Sequence, residues 1–135
     1  MSYLDSFSTA SSGFSTAENY VLSISGDWWE IKDLKVTNAQ KGIMIDNSNH
    51  TKIKNCEVYH IGSEGIHLRD NSSNCLIESC NVHDTGVVSP GYGEAIYVGS
   101  AESTTEYGHE CHYNTIRYWP LGRSLAAEPA QKLSR

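Results

Sequence analysis

Two short hydrophobic patterns alternate along this chain. The first has apolar residues at positions 1, 4 and 6 of a six-residue segment, and its copies lie at residues 31–36, 53–58 and 77–82. The second has a small residue followed by two apolar residues on either side of a variable one, and its copies lie at residues 42–45, 65–68 and 95–98. Copies of the first begin 22 and then 24 residues apart, and copies of the second begin 23 and then 30 residues apart. A repeat of this length with two short strands per unit predicts a solenoid.

Each of these strands is too short to be stable alone, so the copies must stack on one another. Stacking of like positions predicts a parallel β-helix of about four coils, with the segments at 43–45, 66–68 and 96–98 side by side in one sheet. The extent of the repeat divides the chain into an irregular lead-in at 1–18, the β-helix at 19–118 and a tail without the repeat at 119–135. The tail is either a cap over the last coil or the point at which a longer β-helix has been cut short.

The four cysteines occupy matching places in the repeat. Cys56 and Cys80 are both fourth in the six-residue pattern, and residues 113–118 form a further copy that brings Cys111 into register with Cys75. Because stacked coils lie about 4.8 Å apart, disulfides between these partners are geometrically feasible. The alternative is a ladder of inward-facing free thiols, since cysteine packs well as a small hydrophobic residue. The sequence leaves both arrangements open.

Charge and composition narrow the classes of function. The chain has 10 basic and 16 acidic residues, a formal net charge of −6 and no basic cluster, so nucleic acid is not an expected partner. No apolar run is long enough to cross a membrane, so we expect no membrane partner. The first twelve residues have neither the basic nor the apolar part of a signal peptide. Either the protein is intracellular, or its leader is not part of this sequence.

Several segments resemble known β-helix proteins. Residues 26–39 resemble the coil-opening segment of right-handed parallel β-helix proteins in the pectate lyase superfamily, most closely the group that contains the family-nine pectate lyases. Residues 65–68, 74–84 and 93–100 resemble secreted members of unassigned activity. The resemblance implies a right-handed helix and extracellular action on acidic polysaccharides by β-elimination, often with Ca²⁺ and with a lysine or arginine as the base. The aspartate-rich calcium cluster and the catalytic lysine of the family-nine enzymes have no matching positions here. The chain also has fewer coils than those enzymes, as a truncated member would.

Aligning the coils stacks polar residues in rows on the outer face of one sheet. In the second pattern the two apolar residues face inward, so the residues between and after them face outward. The three outward rows are Lys41, Glu64 and Glu94; Met44, His67 and Tyr97; and Asp46, Arg69 and Gly99. A flat sheet with aromatic and charged side chains suits a sugar chain, because aromatic rings stack on sugars and arginine pairs with carboxylates.

Within this face His67 is the strongest candidate for a catalytic group. A neutral imidazole can accept the proton beside a substrate carboxylate, and Arg69 can neutralise that carboxylate. Glu64 and Glu94, on adjacent coils, could instead serve as acid and base in glycoside hydrolysis, or bind Ca²⁺. We assign two sets of residues: catalytic His67, Arg69 and Glu94, and substrate-binding Tyr97, Glu64, Lys41 and Tyr92. No metal site is assigned, because no histidine and cysteine pair has zinc-site spacing.

The third coil is longer than the others because it carries two insertions, at residues 87–93 and 100–110. Loops inserted in a solenoid have no stacking partner and emerge on one face, often the binding face. We predict that they form walls beside the outer sheet and place Tyr92 and Glu94 next to His67 and Arg69. The alternative is that they are mobile surface loops.

Two functions are consistent with these residues and with the resemblance. The first is a polysaccharide lyase, or alternatively a glycoside hydrolase, that acts on an acidic glycan bound to the outer sheet. The second is a non-catalytic carbohydrate-binding or structural β-helix, as a fragment of a longer protein. The missing calcium cluster and the abrupt end of the repeat favour the second. Acidic polysaccharide is the expected partner, and Ca²⁺ is the cofactor that the resemblance implies.

Overall fold

The computed structural model of the chain describes residues 8–10, 13–14, 19–101 and 103–117. Within these ranges the chain forms twelve strands and one turn of 3-10 helix, Pro90–Tyr92. The strands are β1 (Ser8–Ala10), β2 (Tyr20–Ser25), β3 (Glu30–Lys32), β4 (Leu34–Ala39), β5 (Lys41–Asp46), β6 (Lys52–Lys54), β7 (Glu57–Ile61), β8 (Ile66–Arg69), β9 (Leu76–Glu78), β10 (Asn81–Thr85), β11 (Ile96–Val98) and β12 (Thr115–Arg117).

These strands form three four-stranded sheets with parallel pairing. Sheet A has the order β1-β4-β7-β10, sheet B the order β11-β8-β5-β2, and sheet C the order β12-β9-β6-β3. From β3 onward the chain passes from sheet C to sheet A to sheet B and then returns to sheet C on the next level. Each such circuit is one coil, and the predicted parallel β-helix of about four coils is confirmed.

The register places like positions of the repeat on top of one another. In sheet B, Ile66 pairs with Ile43 on one side and with Ile96 on the other, as the sequence predicted. In sheet C the same stacking holds for Ile31, Ile53 and Ile77. These side chains are buried, because the three sheets enclose a core into which alternate residues point. The inward positions of both hydrophobic patterns therefore form the core.

Corners between the sheets are made by residues with positive φ. Asp33, Asn55 and Ser79 occupy equivalent corners, with φ of 59°, 54° and 56°. Asparagine and aspartate tolerate this left-handed conformation better than other residues that carry a Cβ. The amide of Asn55 also donates to Oδ1 of Asp33, at 2.8 Å, which links two successive corners. The polar residues between the hydrophobic segments thus determine where each coil bends.

The cysteines form the free-thiol arrangement. All four are unbridged, with Cys56, Cys75 and Cys80 buried and Cys111 partly exposed. Burial raises the pKa of the Cys75 and Cys111 thiols. A hydrogen bond with the Cys56 thiol raises the pKa of Cys80. These thiols therefore stay protonated at neutral pH and pack as part of the core, and the alternative of cross-coil disulfides is not realised.

The sequence-based boundaries differ from the structure at the start of the chain. Strand β1 lies inside the segment expected to be irregular, and it extends sheet A by pairing with β4. Such an addition is favourable because β4 would otherwise be an edge strand with unpaired backbone groups. The expected tail at 119–135, like residue 118, lies outside the described residues.

Candidate functional site

A groove of about 330 Å³ lies on the outer face of sheet B. We call residues 87–93 the first loop and residues 100–110, described except for residue 102, the second loop. The groove is lined by all seven residues assigned from the sequence: Lys41, Glu64, His67, Arg69, Tyr92, Glu94 and Tyr97. The second loop adds Ser100, Ala101, Thr104, Glu106 and Tyr107. Both loops therefore border the outer sheet, as predicted.

The floor of the groove is made by the predicted rows of sheet B. Met44, His67 and Tyr97 pair in register across β5, β8 and β11, and Asp46 pairs with Arg69 in a neighbouring row. Outward residues of a β-helix are usually solvated, but Met44, His67 and Arg69 are only 1%, 6% and 7% exposed. This face of sheet B is therefore covered, and its ionisable groups lie in a partly dehydrated environment.

His67 is held as a neutral imidazole with one defined tautomer. Its Nε2 lies 2.7 Å from the carbonyl oxygen of Gly99, which can only accept, so Nε2 carries the hydrogen and Nδ1 keeps its lone pair. The ring stacks on Tyr97, with centroids 4.3 Å apart and planes 13° apart. Burial, assisted by the positive charges of Arg69 and Lys41, lowers the pKa of His67 to about 4. At neutral pH this side chain is therefore an uncharged proton acceptor.

The Nδ1 atom of His67 is buried and has no hydrogen-bond partner among the described residues. Oε2 of Glu64 lies 3.6 Å away, which is beyond hydrogen-bonding distance. The hydroxyl oxygen of Ser100, on the second loop, is likewise buried and without a hydrogen bond in the described part of the chain. Buried polar atoms are normally satisfied, so an acceptor and a hydroxyl left open in one groove indicate a place for a ligand or for water.

Arg69 has a partner that sequence reasoning did not assign to it. Its Nε and Nη2 donate to the two carboxylate oxygens of Asp46, at 2.7 and 2.9 Å, and Nη2 also lies 3.4 Å from the hydroxyl of Tyr20. The ring of Tyr107 covers the guanidinium face, 3.8 Å from its central carbon. Much of the positive charge of Arg69 is thus balanced within the protein, which weakens the case that it neutralises a substrate carboxylate.

Carboxylates outnumber cations in the groove lining. Glu64 and Glu94, on adjacent coils, are 7% and 5% exposed, and the second loop contributes Glu106. Nζ of Lys41 lies 3.8 Å from Oε1 of Glu64. Because Arg69 is paired with Asp46, Lys41 is the better candidate of the two cations for binding a substrate carboxylate.

The sequence did not predict which side chains of the second loop line the groove. Tyr107 and Ser100 lie in a segment that the sequence identifies as an insertion. Because an insertion has no copy in the other coils, its residues cannot be aligned with them, and the sequence does not show which of its side chains face the groove. The glycine at position 108 was the one available signal, because it marks a close approach of backbone to another segment.

The placement of possible metal-ligating side chains was compared with the calcium that the resemblance implies. In the described ranges no three histidine, cysteine, aspartate or glutamate side chains are placed to hold a metal ion. The calcium that the resemblance implies stays a prediction, which reactions with added Ca²⁺ or a chelator test. No helix in the described part of the chain is long and apolar enough to span a membrane.

Comparison with known proteins assigns the family. Residues 20–124 match the family model described as the right-handed β-helix region, so the chain belongs to this family, and the expected handedness is confirmed. The crystal structure of an alginate lyase from Paenibacillus sp. str. FPU-7 is 40% identical and superposes with a TM-score of 0.82. A search of curated proteins gave no match.

The likeness to the alginate lyase extends over most of this chain but not most of the lyase. It covers 91% of this chain and 41% of the lyase chain. Together with the family match, it confirms that this is a pectate lyase-like β-helix, as the sequence segments indicated.

Proposed function

We propose that this chain binds an acidic polysaccharide in the groove on sheet B and cleaves it by β-elimination. The observation that carries the proposal is the neutral, buried His67, whose Nδ1 lone pair has no hydrogen-bond partner among the described residues. The 40% identity to an alginate lyase supports a uronic acid polymer as the substrate class. Action outside the cell is part of the same proposal.

The proposed chemistry uses His67 as the proton acceptor. Nδ1 takes the proton from C5 of the uronate, the electron pair of that bond forms the C4=C5 double bond, and the bond from C4 to the bridging oxygen breaks. The departing oxygen takes its proton from the imidazolium, which gives it up readily because burial disfavours the charged ring. The hydrogen bond from Nε2 to Gly99 keeps the ring oriented throughout.

In this proposal Lys41 assists the reaction by neutralising the carboxylate of the substrate. The proton at C5 becomes more acidic when the neighbouring carboxylate is neutralised, and a cation in a dehydrated groove does so more effectively than in water. The side chain of Lys41 is 18% exposed and lines the groove, where a bound carboxylate can pair with its ammonium group. Glu94 borders the same bound sugar.

A second candidate function is non-catalytic binding of a glycan. It is favoured by the charges of the described lining residues, where three carboxylates, Glu64, Glu94 and Glu106, stand against two cations, since this excess repels a polyuronate. On this hypothesis the groove binds a neutral sugar chain and His67 is a hydrogen-bond acceptor for a sugar hydroxyl.

Lyase activity is tested by incubating the protein with alginate, polygalacturonate and chondroitin and following the ultraviolet absorbance of the unsaturated product. Parallel reactions contain added Ca²⁺ or a chelator, which tests whether the implied calcium matters. We expect cleavage by the wild type and a loss of roughly 10²- to 10⁴-fold in His67→Gln. The matched control is His50→Asn, because His50 stacks on Trp28 at a corner and does not line the groove.

Absence of cleavage of every uronate would overturn the elimination. Binding of a neutral glycan without cleavage, measured by calorimetry, would then establish the non-catalytic function. Equal activity in His67→Gln and wild type would remove His67 from the reaction.

A further inference from the structure

We propose that Tyr107 contacts the bound sugar and that Arg69 positions this ring instead of binding the substrate itself. The inference rests on the proposed function for the identity of the ligand. Its structural half, the docking of the second loop on β8, rests on contacts that do not involve a ligand.

Arg69 connects three coils and the second loop. Its bidentate contact with Asp46 joins β8 to β5, and its Nη2 reaches Tyr20 on β2. The side chain is 7% exposed, and one face of the planar guanidinium lies against Tyr107. A guanidinium fixed along its edge by a carboxylate presents a rigid flat surface, on which an aromatic ring takes a defined position.

The two residues that follow Arg69 hold the rest of the second loop. The backbone N–H of Gly108 donates to Oδ1 of Asp70 and that of Glu110 donates to Oδ1 of Asn71, both at 2.9 Å. A Cβ at position 108 would overlap the amide group of Asn71, so a side chain at this position must displace that amide from its hydrogen bond with Glu110. Three consecutive residues thus dock the loop at Tyr107 and just after it, and fix where its ring lies.

The position of Tyr107 makes it part of an aromatic lining for a sugar. Tyr97 lies on the floor with its ring stacked on His67, Tyr92 projects from the first loop with 68% exposure, and Tyr107 borders the groove from the second loop. A tyrosine in a groove binds a sugar by stacking the apolar face of its ring on the apolar face of the sugar ring, at little cost in conformational entropy. The open hydroxyl of Ser100 on the same loop is placed to hydrogen-bond a sugar oxygen.

The test is a set of steady-state kinetics and binding measurements on four variants and one control variant. We expect Tyr107→Ala to raise KM and the Kd for alginate oligosaccharide about tenfold, which corresponds to about 1.4 kcal/mol, while kcat changes less than about twofold. Tyr107→Phe keeps the ring and should raise KM less than Tyr107→Ala does. Arg69→Lys and Gly108→Ala should raise KM by a similar factor, because each displaces the ring. Tyr113→Ala is the matched control, since Tyr113 is 84% exposed and does not line the groove.

Double variants separate positioning from direct binding. If Arg69 acts through Tyr107, adding Arg69→Lys or Gly108→Ala to Tyr107→Ala should change KM little further. An additive loss, or a fall in kcat with Arg69→Lys alone, would show that Arg69 contacts the substrate and overturn its positioning role. Wild-type KM in Tyr107→Ala would overturn the contact of Tyr107 with sugar. Gly108→Ala keeps the buried Arg69–Asp46 pair, so it tests the same point if Arg69→Lys fails to fold.

Hydrogen exchange tests the docking without any glycan. In Arg69→Lys the amides of Gly108 and Glu110 should exchange faster than in the wild type, and unchanged exchange would overturn the docking. A wild type that binds and cleaves no glycan would overturn the proposed function and with it the sugar contact of Tyr107. The docking of the loop is then still decided by the exchange measurement.

Discussion

The pH dependence of stability gives a direct test of the burial of His67. The perturbation is His67→Gln, which keeps a side chain able to donate to the Gly99 carbonyl but removes the titrating group. In the folded protein burial lowers the pKa of His67 to about 4, whereas in the unfolded chain the pKa is close to the ordinary 6.5. Between these two values the unfolded state binds a proton that the folded state does not.

The sign and size of the effect follow from this difference. His67 stabilises the folded state fully above the unfolded pKa of 6.5, and this contribution is lost as the pH falls toward the folded pKa of about 4. One pKa unit corresponds to about 1.36 kcal/mol, so the shift accounts for about 3 kcal/mol over the whole window. The side chain is 6% exposed, so solvent screening does not reduce this figure greatly.

The measurement is urea unfolding of wild type and His67→Gln at several pH values from 4 to 8. We expect the free energy of unfolding of the wild type to fall more steeply below pH 6.5 than that of the variant, by about 3 kcal/mol at pH 4. Other titrating groups are common to both proteins and cancel in the comparison. Parallel pH profiles for the two proteins would show that His67 titrates alike in both states, and the argument for a neutral proton acceptor would fail.

Two further predictions concern the core. Ile66→Ala removes most of a fully buried side chain on a residue that pairs with Ile43 and Ile96. We therefore expect the free energy of unfolding, measured with urea, to fall by about 2–5 kcal/mol. A fall below about 1 kcal/mol would contradict the continuous stack. A thiol reagent should modify all four cysteines in urea but leave the buried Cys56, Cys75 and Cys80 unmodified in the folded protein; fewer than four reactive thiols in urea, restored by a reductant, would reveal a disulfide.

The fold could be predicted from sequence because each coil of a solenoid repeats the same pattern of apolar and polar residues. Ile31, Ile53 and Ile77 occupy the same place in successive copies of one pattern, and stacking them aligns every other position of the coil. The same alignment places Met44, His67 and Tyr97 in one row, and Asp46 beside Arg69, and the strand register agrees with it. The seven assigned residues then fall in one groove because they share one sheet face.

The repeat could not predict which loop residues contact the outer face of sheet B. The residues of the second loop have no copies in the other coils, so no pattern says that Tyr107 lies on Arg69 or that Gly108 meets Asp70. The strand at Ser8–Ala10 was missed for a similar reason, since a single strand added at the edge of sheet A carries no periodic signal.

The sequence by itself determined the coil, the inward residues and the composition of the outer rows, because side-chain direction in a strand alternates and like positions stack. Only the tertiary structure decided that His67 is buried although it faces outward from the sheet, that Arg69 is balanced by Asp46, and that the cysteines remain thiols. The physical reason is that pKa, charge balance and accessibility depend on every group within a few ångströms, including those of loops far away in the chain. At this site the carbonyl of Gly99 and the ring of Tyr97 contact His67, and the second loop borders the same groove.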